Sequence, residues 1–221
     1  HKEYRRQRQM CIRDSRNNEE ATANFKKLAE LPSGEDIDKD TSAGDALRAR
    51  AQDVVENGGY NEEYEQEGIT VGYRYDTSPI CVDDGSGFPA LTITEYEQSA
   101  RPGARAPHAW LADGRSTLDL FGKGFTLLRL GNDALDAPGL IAAAAACGMP
   151  LSVEHVDNDE ARSVYACALC LVRPDGHVAW RGKIDPVDAN AIIDTVRGAG
   201  AGSIRTNAET FAAIGLSLIH I

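Results

Sequence analysis

Two strand-like segments on either side of an alanine-rich segment constrain the fold of this chain more than any other feature. Phe125–Leu130 and Leu151–Val156 are short and largely apolar, as buried strands are. The segment between them is predicted to be a helix that is capped by Asp136, has Pro138 in its first turn and ends at Gly148. Two strands joined by a helix through short connections are expected to lie parallel in one sheet.

A hairpin and a last helix complete this half of the chain. The segments 166–173 and 177–181 flank Pro174-Asp175-Gly176, a sequence typical of a tight turn between antiparallel strands. Asp185 is the predicted cap of the final helix, and Pro186 is its predicted first residue. The order strand, helix, strand, hairpin, helix indicates an α/β unit. The apolar face of the last helix is formed by Ala189, Ile192, Ile193 and Val196.

The first half of the chain has the pattern of two amphipathic helices. Apolar residues recur at helical spacing from Asn18 to Leu31, and Pro32 ends that pattern. A second predicted helix ends at Gly58-Gly59, and Ile69–Tyr75 predicts a short strand. Two such helices bury little surface alone, so we expect them to pack on a larger body. The apolar face of the second helix is formed by Leu47, Ala51, Val54 and Val55.

A basic stretch that contains two prolines joins the two halves. Arg101, Arg105 and His108 lie on a backbone stiffened by these prolines, an arrangement suited to docking on an acidic or polar surface. Tyr73 and Arg74 are expected to take part in the same contact. An exposed linker with solvated charges, and ordinary strand packing for the tyrosines, are the alternatives.

The composition limits the classes of protein that this chain can be. Its 221 residues carry a formal charge of -11, which argues against nucleic-acid binding because no basic face offsets that charge. No apolar run is long enough to span a membrane. Five cysteines without a repeating spacing do not indicate a disulfide framework, so the cytoplasm is the expected location.

Cysteines and histidines do not form a recognisable catalytic or metal site in the sequence. Cys167 and Cys170 form a CxxC sequence, but we expect it within a strand, where residues three apart point to opposite faces and cannot form a disulfide. His177 follows a tight turn and is expected to be exposed. Histidines at metal-ligand spacing, a GxGxxG sequence, a P-loop and a GxSxG sequence are all absent from the sequence.

Four motifs occur along the chain in a specific order. They are GYRYDTSPI (72–80), RPGARAPHAWL (101–111), STLDLFGKGFTLL (116–128) and LVRPDGHVAWR (171–181). Together they resemble the C-terminal part of FAD-dependent aromatic hydroxylases, the phenol hydroxylase-like class A flavoprotein monooxygenases. The resemblance implies a thioredoxin-like C-terminal domain without redox cysteines, which follows an N-terminal body that binds FAD and substrate. Such enzymes use NAD(P)H and O2 to hydroxylate a phenol-like ring.

The resemblance also implies a role for each part of the chain. Residues 17–75 would be the helical end of the FAD and substrate domain, 76–108 a linker and 109–200 the thioredoxin-like domain. Residues 1–16 are basic, unlike the rest, and are expected with 201–221 to be non-native or disordered tails. The expected partners are the missing N-terminal FAD and substrate domain, an aromatic substrate and a second copy of the chain.

FAD and NAD(P)H are expected to bind the parent enzyme and not this fragment alone, because the family's glycine-rich fingerprint is absent from the sequence. The fragment alone is therefore expected to be inactive. A free-standing thioredoxin-like interaction or dimerisation module is the alternative, although it leaves the two early helices without a partner. A peroxiredoxin-like thiol enzyme would need a cysteine in the loop after Leu130, and residues 131–136 contain none.

Overall fold

The computed structural model describes residues 2–29, 36–57, 65–132 and 134–199. The chain divides into two compact units, the first made of residues 1–75 and 87–99 and the second of residues 76–86 and 100–221. The passage predicted as a linker, 76–108, is therefore divided between the two units. The predicted tail 201–221 lies outside the described residues.

The regular elements described in the first unit are helices. Helix α1 spans Lys2–Ala29, helix α2 spans Ser42–Asn57, and α3 is a single turn, Glu67–Thr70. Helix α1 begins well before its predicted start at Asn18 and includes most of the predicted tail 1–16. The second predicted helix is confirmed, because α2 ends beside the predicted glycine pair.

The strand predicted at Ile69–Tyr75 is wrong. The N–H of Val71 donates to the carbonyl oxygen of Glu67 at 3.0 Å, which closes the turn of α3 where the strand was expected. A Cβ atom on Gly68 would lie 2.2 Å from the carbonyl oxygen of Thr92, so only glycine allows this close approach of two backbone segments. The β-branched and aromatic residues of this segment therefore pack in a turn and a loop instead of a strand.

The second unit is built on a four-stranded sheet. Its strands are β1 (Phe125–Leu130), β2 (Leu151–Val156), β3 (Leu169–Val172) and β4 (Val178–Gly182), in the spatial order β2-β1-β3-β4. Strands β1 and β2 are parallel, whereas β1 pairs antiparallel with β3 and β3 pairs antiparallel with β4. Helix α4 (Pro138–Ala146) joins β1 to β2. The predicted parallel pair and the predicted hairpin are both confirmed.

Alternation along the two central strands divides the core between the two faces of the sheet. Leu127, Leu169 and Leu171 are fully buried in a cluster that includes residues of α4 and of α6 (Ala189–Val196). Leu128 and Cys170 lie in a second cluster with residues of helix α5 (Asp159–Tyr165) and with alanines of the 100–109 segment. Helix α5 was not predicted.

The sequence assigned the wrong residues as caps of two helices. Ala137 is the N-cap of α4, and its methyl group cannot accept a hydrogen bond. The carboxylate of Asp185 is the acceptor at this end of the helix instead, since the N–H of Gly139 donates to its Oδ2 at 2.9 Å. Asp136 pairs with Arg129 on the surface. Helix α6 begins at Ala189, where Asp188 accepts a hydrogen bond from the N–H of Ala191 at 2.9 Å.

Candidate functional site

The basic segment that the sequence singled out lies along the edge of the sheet in the second unit. We call residues 101–108 the arginine segment. The N–H of Gly103 donates to the carbonyl oxygen of Val178 at 2.7 Å, and the N–H of Ala106 donates to that of Gly176 at 2.9 Å. These bonds cover the outer edge of β4, so the backbone of the arginine segment is part of the folded unit.

Small residues and prolines anchor the arginine segment, while its larger polar residues are less buried. Ala104 and Ala106 are buried, as are the two prolines. Arg101, Arg105 and His108 are all half-buried. The segment therefore holds two guanidinium groups on a fixed backbone, which reduces the entropy that a contact with a partner would cost.

His108 contacts two residues of the second unit, Ser116 and Trp110. Its Nδ1 lies 2.7 Å from the Oγ of Ser116, and its ring meets that of Trp110 edge-on at 4.8 Å between centroids. Ser116 also begins a 3-10 helix, Thr117–Leu120, through a capping box with Asp119. The imidazole of His108 therefore helps to hold the chain that follows the arginine segment.

The other two residues predicted for docking belong to the first unit. The Nη2 of Arg74 donates to the carbonyl oxygen of Pro89 at 2.6 Å, and the guanidinium lies 4.3 Å from the ring centroid of Phe88. The ring of Tyr73 meets that of Tyr75 edge-on at 5.9 Å. The structure thus brings Arg101, Arg105 and His108 together in one segment and places Tyr73 and Arg74 in the other unit.

A buried polar cluster lies at the tight turn between β3 and β4. His177 was expected to be exposed, but it is 1% exposed because the arginine segment pairs with it through Arg105. Arg173 is also buried, and its Nη2 lies 2.5 Å from a carboxylate oxygen of Asp175. The Nη1 of Arg173 donates to the Sγ of Cys81 at 3.6 Å. In the sequence, the charged residues on either side of the turn are the feature from which this cluster could have been predicted.

Burial and charge set the protonation of this cluster. Burial of Asp175 opposes its ionisation, but the hydrogen bond from His177 and the charge of Arg173 outweigh that effect and lower the pKa of the carboxyl group. Burial raises the pKa of the Cys81 thiol, although the charge of Arg173 opposes the rise. The cluster therefore holds an ionised carboxylate and a neutral thiol, which suits a structural role better than a nucleophilic one.

Residues 76–86, the second covering segment, hold a second ion pair against the sheet. The Nε of Arg181 donates to the Oδ2 of Asp84 at 2.6 Å, and the N–H of Val82 donates to the carbonyl oxygen of Ala179 at 2.8 Å. Burial acts against ionisation of Asp84, but the hydrogen bonds from Ser86 and Arg181 lower its pKa below the ordinary value. This part of the predicted linker is therefore fixed on β4.

The CxxC pair does not lie as the sequence predicted. Strand β3 begins only at Leu169, and Ala166 has a left-handed conformation with φ of 52°. Cys167 therefore precedes the strand, and it packs on the same apolar cluster as Cys170. The expectation that the two side chains point to opposite faces is wrong, because the strand alternation on which it relied does not reach Cys167.

The described residues support neither a metal site nor a membrane-spanning helix. Within them, no three side chains of His, Cys, Asp or Glu come together as metal ligands would. None of the helices described here is both long and apolar enough to cross a bilayer.

Residues 99–199 match the family model described as aromatic-ring hydroxylase, C-terminal. Among curated proteins, the chain is 34% identical over 155 residues to the FAD-dependent monooxygenase apdD of Emericella nidulans, covering 66% of this chain and 24% of that protein. It is 31% identical over 180 residues to phenol 2-monooxygenase of a Pseudomonas species, covering 70% of this chain and 28% of that enzyme.

A solved structure gives the same relationship. The rebeccamycin biosynthetic enzyme RebC with reduced flavin superposes with a TM-score of 0.70 at 39% identity, over 82% of this chain and 33% of that one. These matches confirm the resemblance that the four motifs indicated. The chain spans about a quarter of the length of the curated relatives described above.

Proposed function

We propose that this chain, whose residues 99–199 form an aromatic-ring hydroxylase C-terminal domain, is part of an FAD-dependent monooxygenase that hydroxylates phenol-like compounds. The match over these residues carries the proposal, because it covers nearly all described residues of the second unit's sheet and helices. Relatives named as FAD-dependent and phenol monooxygenases support the cofactor and the class of substrate.

In the whole protein, FAD would carry electrons from NAD(P)H to O2, and this chemistry belongs to the cofactor. The absence of a glycine-rich fingerprint from the sequence supports the expectation that FAD does not bind this chain alone. Among the described residues, the cavity at the end of β1 is lined by Leu130 and by polar and small residues, without an aromatic ring. We therefore place FAD and the aromatic substrate in an N-terminal body and expect the chain alone to be inactive.

Exposed apolar side chains support such a body. Phe25 on α1 is 72% exposed, and Val55 on α2 is 51% exposed. Both lie on the apolar faces that the sequence predicted for these helices. Covering side chains of this kind is favourable by roughly 1.5–3 kcal/mol each when burial is complete. The helices of the first unit would thus pack on the FAD and substrate body.

We further propose that the second unit has a thioredoxin-like fold and docks on that body through the arginine segment. The sheet order β2-β1-β3-β4, with α4 and α6 contributing to one core cluster, supports the fold. The fixed backbone of the arginine segment supports Arg101 and Arg105 as docking residues, with His108 positioned beside them. Tyr73 and Arg74 would take part from the first unit.

A free-standing interaction or dimerisation module in the cytoplasm is the second candidate. It is favoured by the closed core of the second unit, since both apolar clusters consist of residues of that unit. Sedimentation of the purified chain tests it. A stable homodimer without any affinity for a flavin-binding body would support the module.

Purification of this chain tests the main proposal. We expect a colourless protein that neither retains added FAD through gel filtration nor oxidises NAD(P)H with phenol present. A yellow, NAD(P)H-oxidising preparation would overturn the claim that the chain alone is inactive. Reading the gene upstream is the matched control: an in-frame glycine-rich fingerprint supports the monooxygenase, whereas a start codon close to Asn17 supports the module.

A further inference from the structure

A cavity of about 500 Å³ opens in the second unit at the edge of the sheet where β1 ends. Strands β1 and β4 run in the same direction, because each is antiparallel to β3, so both strands end at this edge. The chain also enters β3 here, through Ala166, Cys167 and Ala168. A volume of this size lies in the ordinary range for sites that bind small molecules.

Two cationic side chains line the cavity from different elements. Arg162 lies on α5, and Lys183 directly follows β4. The guanidinium carbon of Arg162 lies 3.8 Å from the position that a Cβ atom on Gly131 would occupy, which places this charge at the end of β1. Asn132 adds a side-chain amide from the loop after β1. Nitrogen donors from three parts of the chain therefore border one space.

The two cations of the cavity have no counter-charge among the described residues. The described lining contains no Asp or Glu, and none of the ion pairs between described residues includes Arg162 or Lys183. By contrast, Arg129, Arg173 and Arg181 of the same unit each pair with an aspartate. Two neighbouring like charges are stabilised when an anion binds to both, so this arrangement favours an anionic ligand.

The remainder of the cavity wall is small and apolar. Leu130 lies at the end of β1, and Ala166 and Ala168 lie before β3. These side chains offer no further polar group to a ligand, and they leave room beside the cations. The wall therefore suits a molecule that has an apolar part next to its charged group.

We propose that this cavity binds a small organic oxyanion, a carboxylate or a phosphate, through Arg162 and Lys183. Guanidinium and ammonium groups both form charge-assisted hydrogen bonds with such oxygens, and the amide of Asn132 can donate one more. The apolar part of the ligand would lie against Leu130 and the two alanines. The proposal does not depend on the monooxygenase function, and neither the family description nor the relatives' names assigns this site.

Titration of the full chain with phenyl phosphate and with benzoate tests the proposal. We expect the backbone amide resonances of Gly131, Asn132, Cys167 and Lys183 to shift with one saturating dependence on ligand concentration. Binding of either compound supports the proposal, and the tighter of the two identifies the anionic group. Benzyl alcohol is the neutral control and should not shift these resonances, because it leaves both cations unpaired.

Variants test the two cations. Arg162→Gln and Lys183→Gln should each weaken binding about tenfold, as loss of one charge-assisted hydrogen bond does. Lys123→Gln is the matched control, because it makes the same change in net charge before the start of β1, at the opposite end of that strand. Its affinity should be unchanged. All three side chains belong to exposed residues, and circular dichroism checks that each variant folds.

Three results would overturn the proposal. The first is the absence of saturable shifts at the cavity with both anions. The second is equal affinity for benzyl alcohol, which would assign binding to the apolar wall alone. The third is an equal loss of affinity in Lys123→Gln and in the two cavity variants, which would assign binding to net charge. Titration of the wild-type chain decides the first two even where a variant fails to fold.

Discussion

The carbonyl oxygen of Pro107 accepts two hydrogen bonds in the interior of the second unit. Tyr165 donates through its hydroxyl at 2.8 Å, and Thr117 donates through its Oγ1 at 2.8 Å. The same Oγ1 accepts from the N–H of Ala109 at 3.0 Å. Thr117 therefore serves two backbone groups of the chain around the arginine segment, and Tyr165 donates to one of the same two groups.

This difference predicts unequal costs for two isosteric substitutions. Tyr165→Phe leaves Pro107 with one donor, so we expect a loss of about 0.5–1.5 kcal/mol in the free energy of unfolding. Thr117→Val also leaves the N–H of Ala109 buried without its acceptor, so we expect about 1–3 kcal/mol. Urea unfolding measures both, with Thr195→Val, which removes an exposed hydrogen bond, as control. Equal costs would contradict the assignment.

Asp175 gives the second unit a predicted dependence on pH. Its pKa in the folded chain lies below the ordinary 3.8, because the hydrogen bond from His177 and the charge of Arg173 outweigh burial. The stability contributed by the carboxylate is therefore complete above the unfolded value and is lost as the pH falls through the folded value. Asp175→Asn should be less stable than the wild type near neutral pH. The difference should shrink below about pH 4.

Unfolding midpoints in urea across this pH range measure the difference. Asp136→Asn is the matched control, since the Asp136 side chain is 86% exposed. A destabilisation of Asp175→Asn that stays constant down to the lowest pH would assign its effect to packing instead of charge.

At the scale of the element, the cap of α4 comes from a distant part of the chain. Asp185 lies 46 residues after Gly139 and accepts its N–H, whereas the adjacent Asp136 does not cap the helix. We expect Asp185→Ala to cost about 0.5–2 kcal/mol, as loss of an N-cap does. Asp136→Ala removes an exposed ion pair and should cost at most about 1 kcal/mol. Thermal unfolding compares the two, and the reverse ranking would refute the long-range cap.

The same contrast shows which elements can be predicted from sequence. Strands β1 and β2 were recognisable because local apolar runs and the helix between them determine their pairing. The cap by Asp185 depends on tertiary contact, and α5 is a short, polar helix with little periodicity. Ile69–Tyr75 has the residues of a strand, but the turn of α3 and the close approach at Gly68 prevail. The left-handed conformation of Ala166 determines where Cys167 lies. An alanine in the sequence gives no indication of that conformation.

The sequence identified the residues of the arginine segment but not how they pack, and their docking role stays a prediction. Prolines and arginines identified the arginine segment, because these residue types are visible without structure. Its pairing with β4 and the burial of His177 were not predictable, since the turn sequence alone suggests exposure. Ionic contacts between the second covering segment and the sheet depend on residues almost a hundred positions apart, such as Asp84 and Arg181.

At the scale of the whole molecule, the second unit contains all the residues of its two apolar clusters. It also includes both segments that cover the edge of β4. A polypeptide of residues 76–199 retains these groups and also contains residues 87–99, which connect the two covering segments. We therefore expect this polypeptide to fold without the first unit and to unfold cooperatively in urea.

Leu127→Ala tests whether that isolated polypeptide has the same core. Leu127 lies on the central strand β1 and is fully buried, with 0% exposure. Removing its side chain should cost about 2–5 kcal/mol in both the full chain and the 76–199 polypeptide. Val187→Ala, at a fully exposed position, should change stability by less than about 0.5 kcal/mol in each. If Leu127→Ala has its full effect only in the longer chain, the core of the second unit depends on the first.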